Sequence, residues 1–229
     1  MSFSQLTKKC PGSVIALILD CDGVILESVS AKTDAFRELF SFAPEYVDEI
    51  VAYHLDNGGM SRFEKFKHIY SHILKKPLSN KRFEELSNEF SSIVYQKVMD
   101  SPFVDGSMEF LERYHNIIPL YVVSATPEKE LIEVLKGRGI IHFFKEVYGS
   151  PEKKKVHLKN IIQKLHGSPE SVLFVGDAKN DYDAGRGVGI RFIARIQPGE
   201  PDRFCNLPGI EFRIKDLHDL NHYLRDLLC

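Results

Sequence analysis

The apolar run Leu17-Ile18-Leu19 passes without a break into Asp20-Cys21-Asp22-Gly23. A continuous run of this kind reads as a parallel strand buried on both faces. Its C-terminal acids then sit at the carboxyl edge of the sheet, where open α/β folds bind ligands. Two carboxylates one residue apart are costly beside a core unless a cation or a reaction uses them. Taken alone, the same residues also describe a strand that simply ends in an Asp-Gly turn. The rest of the chain decides between the two.

Short apolar runs recur at Val14–Leu19, Ile117–Val123, Glu146–Tyr148, Val172–Val175, Ile190–Ile196 and Glu211–Ile214. Helical patterns fall between several of them, at Gly106–His115, Pro127–Arg138, Lys153–His166 and Asp183–Val188. Strands alternating with helices predict a parallel sheet with helices on both faces. The segment from Ser30 to Asp100 is different. It has no strand-like run, and Phe36, Leu39, Phe40; Phe66, Ile69, Tyr70, Ile73; and Phe83, Leu86, Phe90, Ile93 recur at helical spacing. Pro44 suits a first helical turn, Ser79 an N-cap, and Asn57-Gly58-Gly59 a break between two helices. The expected fold class is α/β: a Rossmann-like parallel-sheet core in three α/β/α layers, with an all-helical cap inserted after the first strand. The core is expected over 1–28 and 101–229, the cap over 29–100. The turn-rich stretch Ser101-Pro102-Phe103-Val104-Asp105-Gly106 marks the return.

Three further strand ends carry polar groups. Pro119–Val123 leads into Ser124-Ala125-Thr126-Pro127, a hydroxyl at a strand tip that an ordinary helix cap would also explain. Gly149-Ser150-Pro151-Glu152 precedes Lys153, Lys154 and Lys155 at a helix start, where cations oppose the macrodipole. The apolar stripe Leu158, Ile161, Leu165 extends back to Lys154, which makes it the best placed to turn inward, with Lys155 as runner-up. Val172–Val175 leads into Gly176-Asp177-Ala178-Lys179-Asn180-Asp181, again a buried strand ending in acid. One such end could be chance. Asp20, Asp22, Ser124, Lys154, Asp177 and Asp181 in this order are a constellation.

Composition narrows the partners. The chain has 229 residues, 43% hydrophobic and 27% charged, with a net charge of −2, so no basic field points to nucleic acid or an anionic membrane. Cys10, Cys21, Cys205 and Cys229 form no C-x-x-C pair, and no run is long and apolar enough to span a bilayer. Scattered thiols and the lack of an N-terminal apolar region set the expectation of a cytoplasmic protein.

With those motifs in order, the chain resembles the haloacid dehalogenase superfamily, in the helical-cap phosphatase branch that includes phosphoglycolate phosphatase-like and β-phosphoglucomutase-like members. The resemblance covers about 13 to 215. Related sequences carry Asp where this one has Glu27, and often an acid where it has Val29. The implied activity is hydrolysis of a small-molecule phosphate monoester through an aspartyl-phosphate, with Mg²⁺ as cofactor. Asp20 would be the nucleophile, and Asp22 would pass a proton to the leaving alcohol and take one from water. Ser124 would donate to a phosphoryl oxygen, and Lys154 would neutralise the transition state. The implied metal ligands are Asp20, the Asp22 carbonyl and Asp177, with Asp181 hydrogen-bonding behind them or orienting Lys154. Crowding and closure are expected to raise the Asp22 pKa. In the cap, Asn57, Gly58, Gly59, Ser61, Arg62 and Lys65 are candidates to read the leaving group, favouring an anionic or polyhydroxyl one. His54 is as compatible with packing as with function.

A sugar phosphomutase is the strongest rival. A receiver-type signalling module would lack the helical insertion, and a carbon–halogen hydrolase would not need Asp22. A phosphonate-cleaving relative would need a Schiff-base lysine, for which Lys32 and Lys65 are the cap candidates.

Overall fold

The computed structural model describes residues 14–228. Cys10, Cys229 and the first 13 positions of the expected core segment lie outside the described residues. All six apolar runs form strands: β1 (Ala16–Leu19), β2 (Leu120–Pro127), β3 (Glu146–Ser150), β4 (Val172–Gly176), β5 (Arg191–Arg195) and β6 (Ile210–Ile214). They make one six-stranded sheet in the order β3-β2-β1-β4-β5-β6, with every pairing parallel. β1 is central, and its direct neighbours are β2 and β4. Asp20, Ser124 and Asp177 therefore converge at one edge because their strands are adjacent and run the same way.

The four central strands β1, β2, β4 and β5 are buried on both sides, which is why they read as continuous rather than alternating apolar runs, while the edge strand β6 is largely exposed. Leu17, Leu19, Val122, Leu173, Val175 and Ile193 face the layer of α5 (Ser107–Tyr114), α6 (Glu128–Gly137) and α9 (Leu217–Leu228). Ile18, Tyr121, Val123, Phe174, Phe192 and Ala194 face α7 (Lys154–Leu165) and α8 (Lys179–Arg186). The expected three layers are present. α9 carries no signal singled out in the sequence, although Leu217, Leu220 and Leu224 bury a helical stripe.

The helical insertion contributes α1 (Val29–Leu39), α2 (Val47–Asp56), α3 (Arg62–His68) and α4 (Asn80–Met99). Pro44 opens a short 3₁₀ turn ahead of α2, and the Ser79 side chain accepts from the Arg82 N–H to cap α4. The insertion is held by an aromatic cluster: Phe36 meets Phe90 at 4.8 Å and Phe66 at 5.9 Å between ring centroids. Such tilted and edge-on contacts are the favoured aromatic geometry.

Two element boundaries differ from the sequence expectation. Pro127 closes β2, which continues past Ser124 and pairs with Ser150, and stands as the N-cap of α6 rather than as its first helical residue. α8 begins at Lys179 rather than Asp183, because the Asp181 carboxylate accepts the Ala178 N–H at 3.1 Å and starts the helix a turn early.

Phe174 is fully buried beneath α7 and α8 and packs edge-on against Phe192 at 5.8 Å. Phe174→Ala is expected to destabilise the fold by about 3–5 kcal/mol. Urea unfolding would show this as a lower midpoint at unchanged slope.

Candidate active site

Lys154 lies at the first turn of α7 and is buried, while Lys155 is exposed. Its ammonium donates to Asp20 Oδ2 and to Asp181 Oδ1, both at 2.6 Å. Burial alone would lower the Lys154 pKa, but Asp181 and Asp20 more than offset it and push it upward. Asp20 keeps Oδ1 on the Cys21 N–H at 2.7 Å. Burial raises the Asp20 pKa well above the carboxylate range despite Lys154, and Asp181, Asp22 and Asp177 add to the rise.

Asp177 completes the edge. One oxygen each of Asp20, Asp177 and Asp181 lie within 4.8 Å of one another, close enough to share an ion. Gln197 donates to Asp177 Oδ2 at 3.2 Å. On the other side Gly23, at φ +73°, leaves the room that Asp177 occupies. A Cβ on Gly23 would stand 2.2 Å from Asp177 Oδ2, so glycine is required here twice over. Burial first, then Asp181, carry the Asp177 pKa up to about 7. Among the described residues, Asp20, Asp22, Asp177 and Asp181 have Lys154 and Lys32 as their direct ammonium partners. Four carboxylates against two ammonium groups leave a charge that a divalent cation would complement. The donors are all hard oxygens, which suits Mg²⁺.

Asp22 departs from expectation. Its carboxylate turns away from the acid cluster: it accepts Ser28 Oγ at 2.6 Å, Thr126 Oγ1 at 3.1 Å and Ser124 Oγ at 3.3 Å, and ion-pairs with Lys32. Burial raises its pKa, but the Lys32 ammonium and these hydrogen bonds overcome it and bring it down to about 2. The expected upward shift is therefore corrected: Lys32, from the first cap helix, holds Asp22 ionised. Lys32 also donates to Thr126 Oγ1 at 2.7 Å. Neither Lys32 nor Thr126 was read as part of this constellation. Lys32 lies one turn into a surface-type helix, and Thr126 looks like a cap residue.

The cap loop closes over this edge. A cavity of about 80 Å³ lies between them, lined by Asp20, Asp22 and Asp177 from the core and by Lys32, Phe36, His54, Gly58, Gly59, Met60, Arg62 and Lys65 from the insertion. Gly58 and Gly59 pack on Ala178, and Asn180 Nδ2 donates to the Gly58 carbonyl at 2.8 Å. The other candidates divide. Asn57 and Ser61 do not line this cavity: Asn57 bonds the Tyr53 carbonyl at the end of α2, and Ser61 caps α3 through the Glu64 N–H. Arg62 lines the cavity but is committed across the interface, donating to Glu130 Oε2 at 2.6 Å and Ser91 Oγ at 2.8 Å. Lys65 is buried and donates to His54 Nδ1 at 2.9 Å and to the His54 carbonyl at 3.0 Å.

Glu27, where related sequences carry Asp, finds its partner in Arg195 at the end of β5. The buried guanidinium clasps both Glu27 oxygens and donates to the Gly23 carbonyl at 2.9 Å and the Lys215 carbonyl at 3.0 Å. The peptide following Asp22 and the start of the cap connection are thereby tied to the same side chain. Arg195 was not singled out in the sequence, because a strand-terminal arginine carries no local signal of a partner so far away in the chain.

Fold and site together describe a capped α/β core with a cluster of carboxylates at the edge of its sheet. The chain belongs to the haloacid dehalogenase-like hydrolase family, whose model matches residues 15–189. It is 24% identical over 187 residues to the phosphorylated carbohydrates phosphatase of Thermotoga maritima, covering 78% of this chain and 83% of that protein. It is 28% identical over 184 residues to the phosphoglycolate phosphatase of Vibrio parahaemolyticus, covering 76% and 79%. Among solved structures, the HAD-hydrolase YfnB of Bacillus subtilis, crystallised with magnesium, superposes with a TM-score of 0.69 at 19% identity, covering 93% of this chain and 99% of that one. The β-phosphoglucomutase of Clostridium difficile gives 0.72 at 18% identity, covering 94% and 97%. No helix among the described residues is long and apolar enough to cross a membrane.

The raised Asp177 pKa fixes a pH dependence. The metal-free folded protein holds a proton at Asp177 up to about pH 7, whereas an unfolded Asp releases it near 3.9. Raising pH through that interval therefore removes stability. Asp22, held near 2, has the opposite sign but titrates below this window. Mg²⁺ is expected to raise the melting temperature more at pH 8 than at pH 5, as thermal melts with and without the ion would show. An equal gain at both values would contradict the cluster as the binding site.

Proposed function

We propose that the chain is a Mg²⁺-dependent phosphatase of small-molecule phosphate monoesters, acting through an aspartyl-phosphate on Asp20. The observation that carries this is the pairing of Asp20 with Lys154, itself fixed by Asp181, beneath a cavity that the helical insertion covers. A carboxylate cannot approach a phosphate dianion without nearby positive charge. Lys154 supplies one such charge at 2.6 Å from the attacking group. Asp20, Asp177 and the Asp22 carbonyl would hold Mg²⁺, which supplies charge neutralisation at the phosphoryl oxygens. Asp181 has both oxygens engaged, one on Lys154 and one on the Ala178 N–H, so its part is to orient Lys154 rather than to ligate.

Asp20 Oδ2 would attack phosphorus, the bond to the leaving oxygen would break, and that oxygen would take a proton from Asp22. Water would then cleave the acyl phosphate as Asp22 receives its proton. In the arrangement seen, Asp22 is in the basic form that the second half requires. For the first half, its Lys32 contact must be released, and Lys32 belongs to the inserted helices. Ser124 and Thr126 lie within reach of the same carboxylate and would donate to the phosphoryl group once it enters. We assign 29–100 as the cap and the remainder as the catalytic core.

The relatives' names cover phosphorylated carbohydrates and phosphoglycolate, and a panel of such esters tests the reading. Released phosphate should require Mg²⁺ and should fall at least about a thousandfold in Asp20→Asn, which keeps the shape but loses the nucleophile. Full activity in Asp20→Asn, or no hydrolysis of any ester, would refute it.

A further inference from the structure

Arg195 ends β5, and its side chain is 1% exposed. A guanidinium withdrawn from water so completely is costly unless its donors are placed. They are placed on both ends of one turn. Nη1 donates to the Gly23 carbonyl and to Glu27 Oε2, each at 2.9 Å, and Nη2 to Glu27 Oε1. Nε reaches the Lys215 carbonyl at 3.0 Å. The turn so spanned carries Asp22. Its frame is the Cys21 carbonyl, which accepts the Ile25 and Leu26 N–H groups at 2.9 and 3.0 Å. The Gly23 N–H donates to the Leu26 carbonyl at 2.7 Å. That bond fixes the Asp22–Gly23 peptide plane and with it the direction of the Asp22 carbonyl, the implied metal ligand. Among the described residues, no backbone N–H donates to that carbonyl.

The next peptide is gripped less firmly by the turn itself, since the Val24 N–H lies 3.4 Å from the Cys21 carbonyl. Arg195 takes its other end, the Gly23 carbonyl. Glycine has the freest backbone of any residue, and here it must hold φ +73° beside Asp177. The far end of the turn matters as well. Ser28 follows Glu27, and its Oγ donates to Asp22 Oδ1 at 2.6 Å. Arg195 thus reaches Asp22 from two sides, through Gly23 to the carbonyl and through Glu27 and Ser28 to the carboxylate. Charge is the remaining constraint. Arg195 and Asp177 line the same small cavity of about 20 Å³. The guanidinium opposes the rise that burial and Asp181 impose on the Asp177 pKa. A bare cation there would compete with a metal ion, and the two-point clasp of Glu27 cancels it.

We propose that Arg195, locked by Glu27, is a positioning residue of the metal site: it holds the Gly23 turn so that the Asp22 carbonyl meets the same ion as Asp20 and Asp177. The pair supplies geometry to the site without adding net charge. This assignment rests on the phosphatase reading above for the identity of the ion, Mg²⁺.

Two variants remove the grip while leaving the net charge of the site unchanged, so that any change in affinity reports geometry. Arg195→Lys keeps the cation but loses the planar fork, and cannot hold Gly23 and Glu27 together. The double variant Glu27→Leu/Arg195→Met removes one charge of each sign and fills the space with apolar groups, a replacement that folds tolerate for a buried pair. Calorimetric titration with Mg²⁺ is expected to show a Kd weaker by about tenfold to a hundredfold in both, the range for a residue that orients a metal ligand. Amide hydrogen exchange at 21–26 is expected to quicken in both, with β4 and α7 exchanging as in the wild type. Wild-type Mg²⁺ affinity in the double variant would overturn the proposal and leave the pair a matter of fold cohesion alone. So would unchanged exchange at 21–26, or a rise spread evenly over the sheet. If Arg195→Lys does not fold, the double variant decides. A wild-type protein that binds no Mg²⁺, or Asp177→Asn that binds it equally well, fails the metal reading on its own. The hold on the turn is then judged by exchange, where loosening confined to 21–26 supports it and unchanged exchange overturns it.

Discussion

Burying Asp20 beside Asp177 and Asp181 is the constraint that shapes the rest of this molecule. Carboxylates packed within 4.8 Å of one another at the end of a central strand repel each other and lack solvent to screen them. The fold answers with a lysine drawn inward from the first turn of α7, against the preference of a helix N-terminus for negative charge. Only the two carboxylates at 2.6 Å explain why Lys154 sits there. What remains uncompensated is the charge of a divalent cation, and the upward displacement of Asp20 and Asp177 is the same deficit expressed as proton affinity.

A second layer of order follows from covering this edge. The helical insertion does not merely sit over the strand ends; it reaches into them. Lys32 takes Asp22, Arg62 and Ser91 take Glu130 on α6, and the Gly58 carbonyl takes Asn180 on α8. The apolar clusters of cap and sheet run together through Val24, Ile25 and Leu26. The insertion therefore covers the strand ends and at the same time places a positive charge beside Asp22. In an enclosed site each of these charges acts more strongly than it would in water.

The parts of this structure legible in the sequence are those fixed by local pattern. The four central strands announced themselves as apolar runs because both faces of the sheet are buried there, and the insertion announced itself by helical spacing around Phe36, Phe66 and Phe90. The order of polar strand ends carried Asp20, Ser124 and Asp177 to one edge, because parallel neighbours bring their C-termini together. What stayed hidden depends on pairing across long stretches of chain. Nothing near Lys32 indicates Asp22 or Thr126, nothing near Arg62 indicates Glu130, and nothing near Arg195 indicates Glu27. The Asp22 pKa was misjudged for the same reason: its sign depends on a partner that only the tertiary fold supplies. Ser61 and Asn57 show the converse, since cap-forming residues beside a glycine break look like binding residues until their backbone partners are seen.

The alternation along β1 has a further consequence. Ala16 and Ile18 belong to one layer, Leu17 and Leu19 to the other, and Asp20 follows at once. Sheet geometry ties side-chain direction to residue count. Loss or gain of a single residue within these four would exchange the two layers' contacts and turn Asp20 away from Lys154 in the same stroke. Descendants of this chain can therefore vary β1 in composition while its length stays frozen, so the nucleophile's aim is inherited as a count of residues.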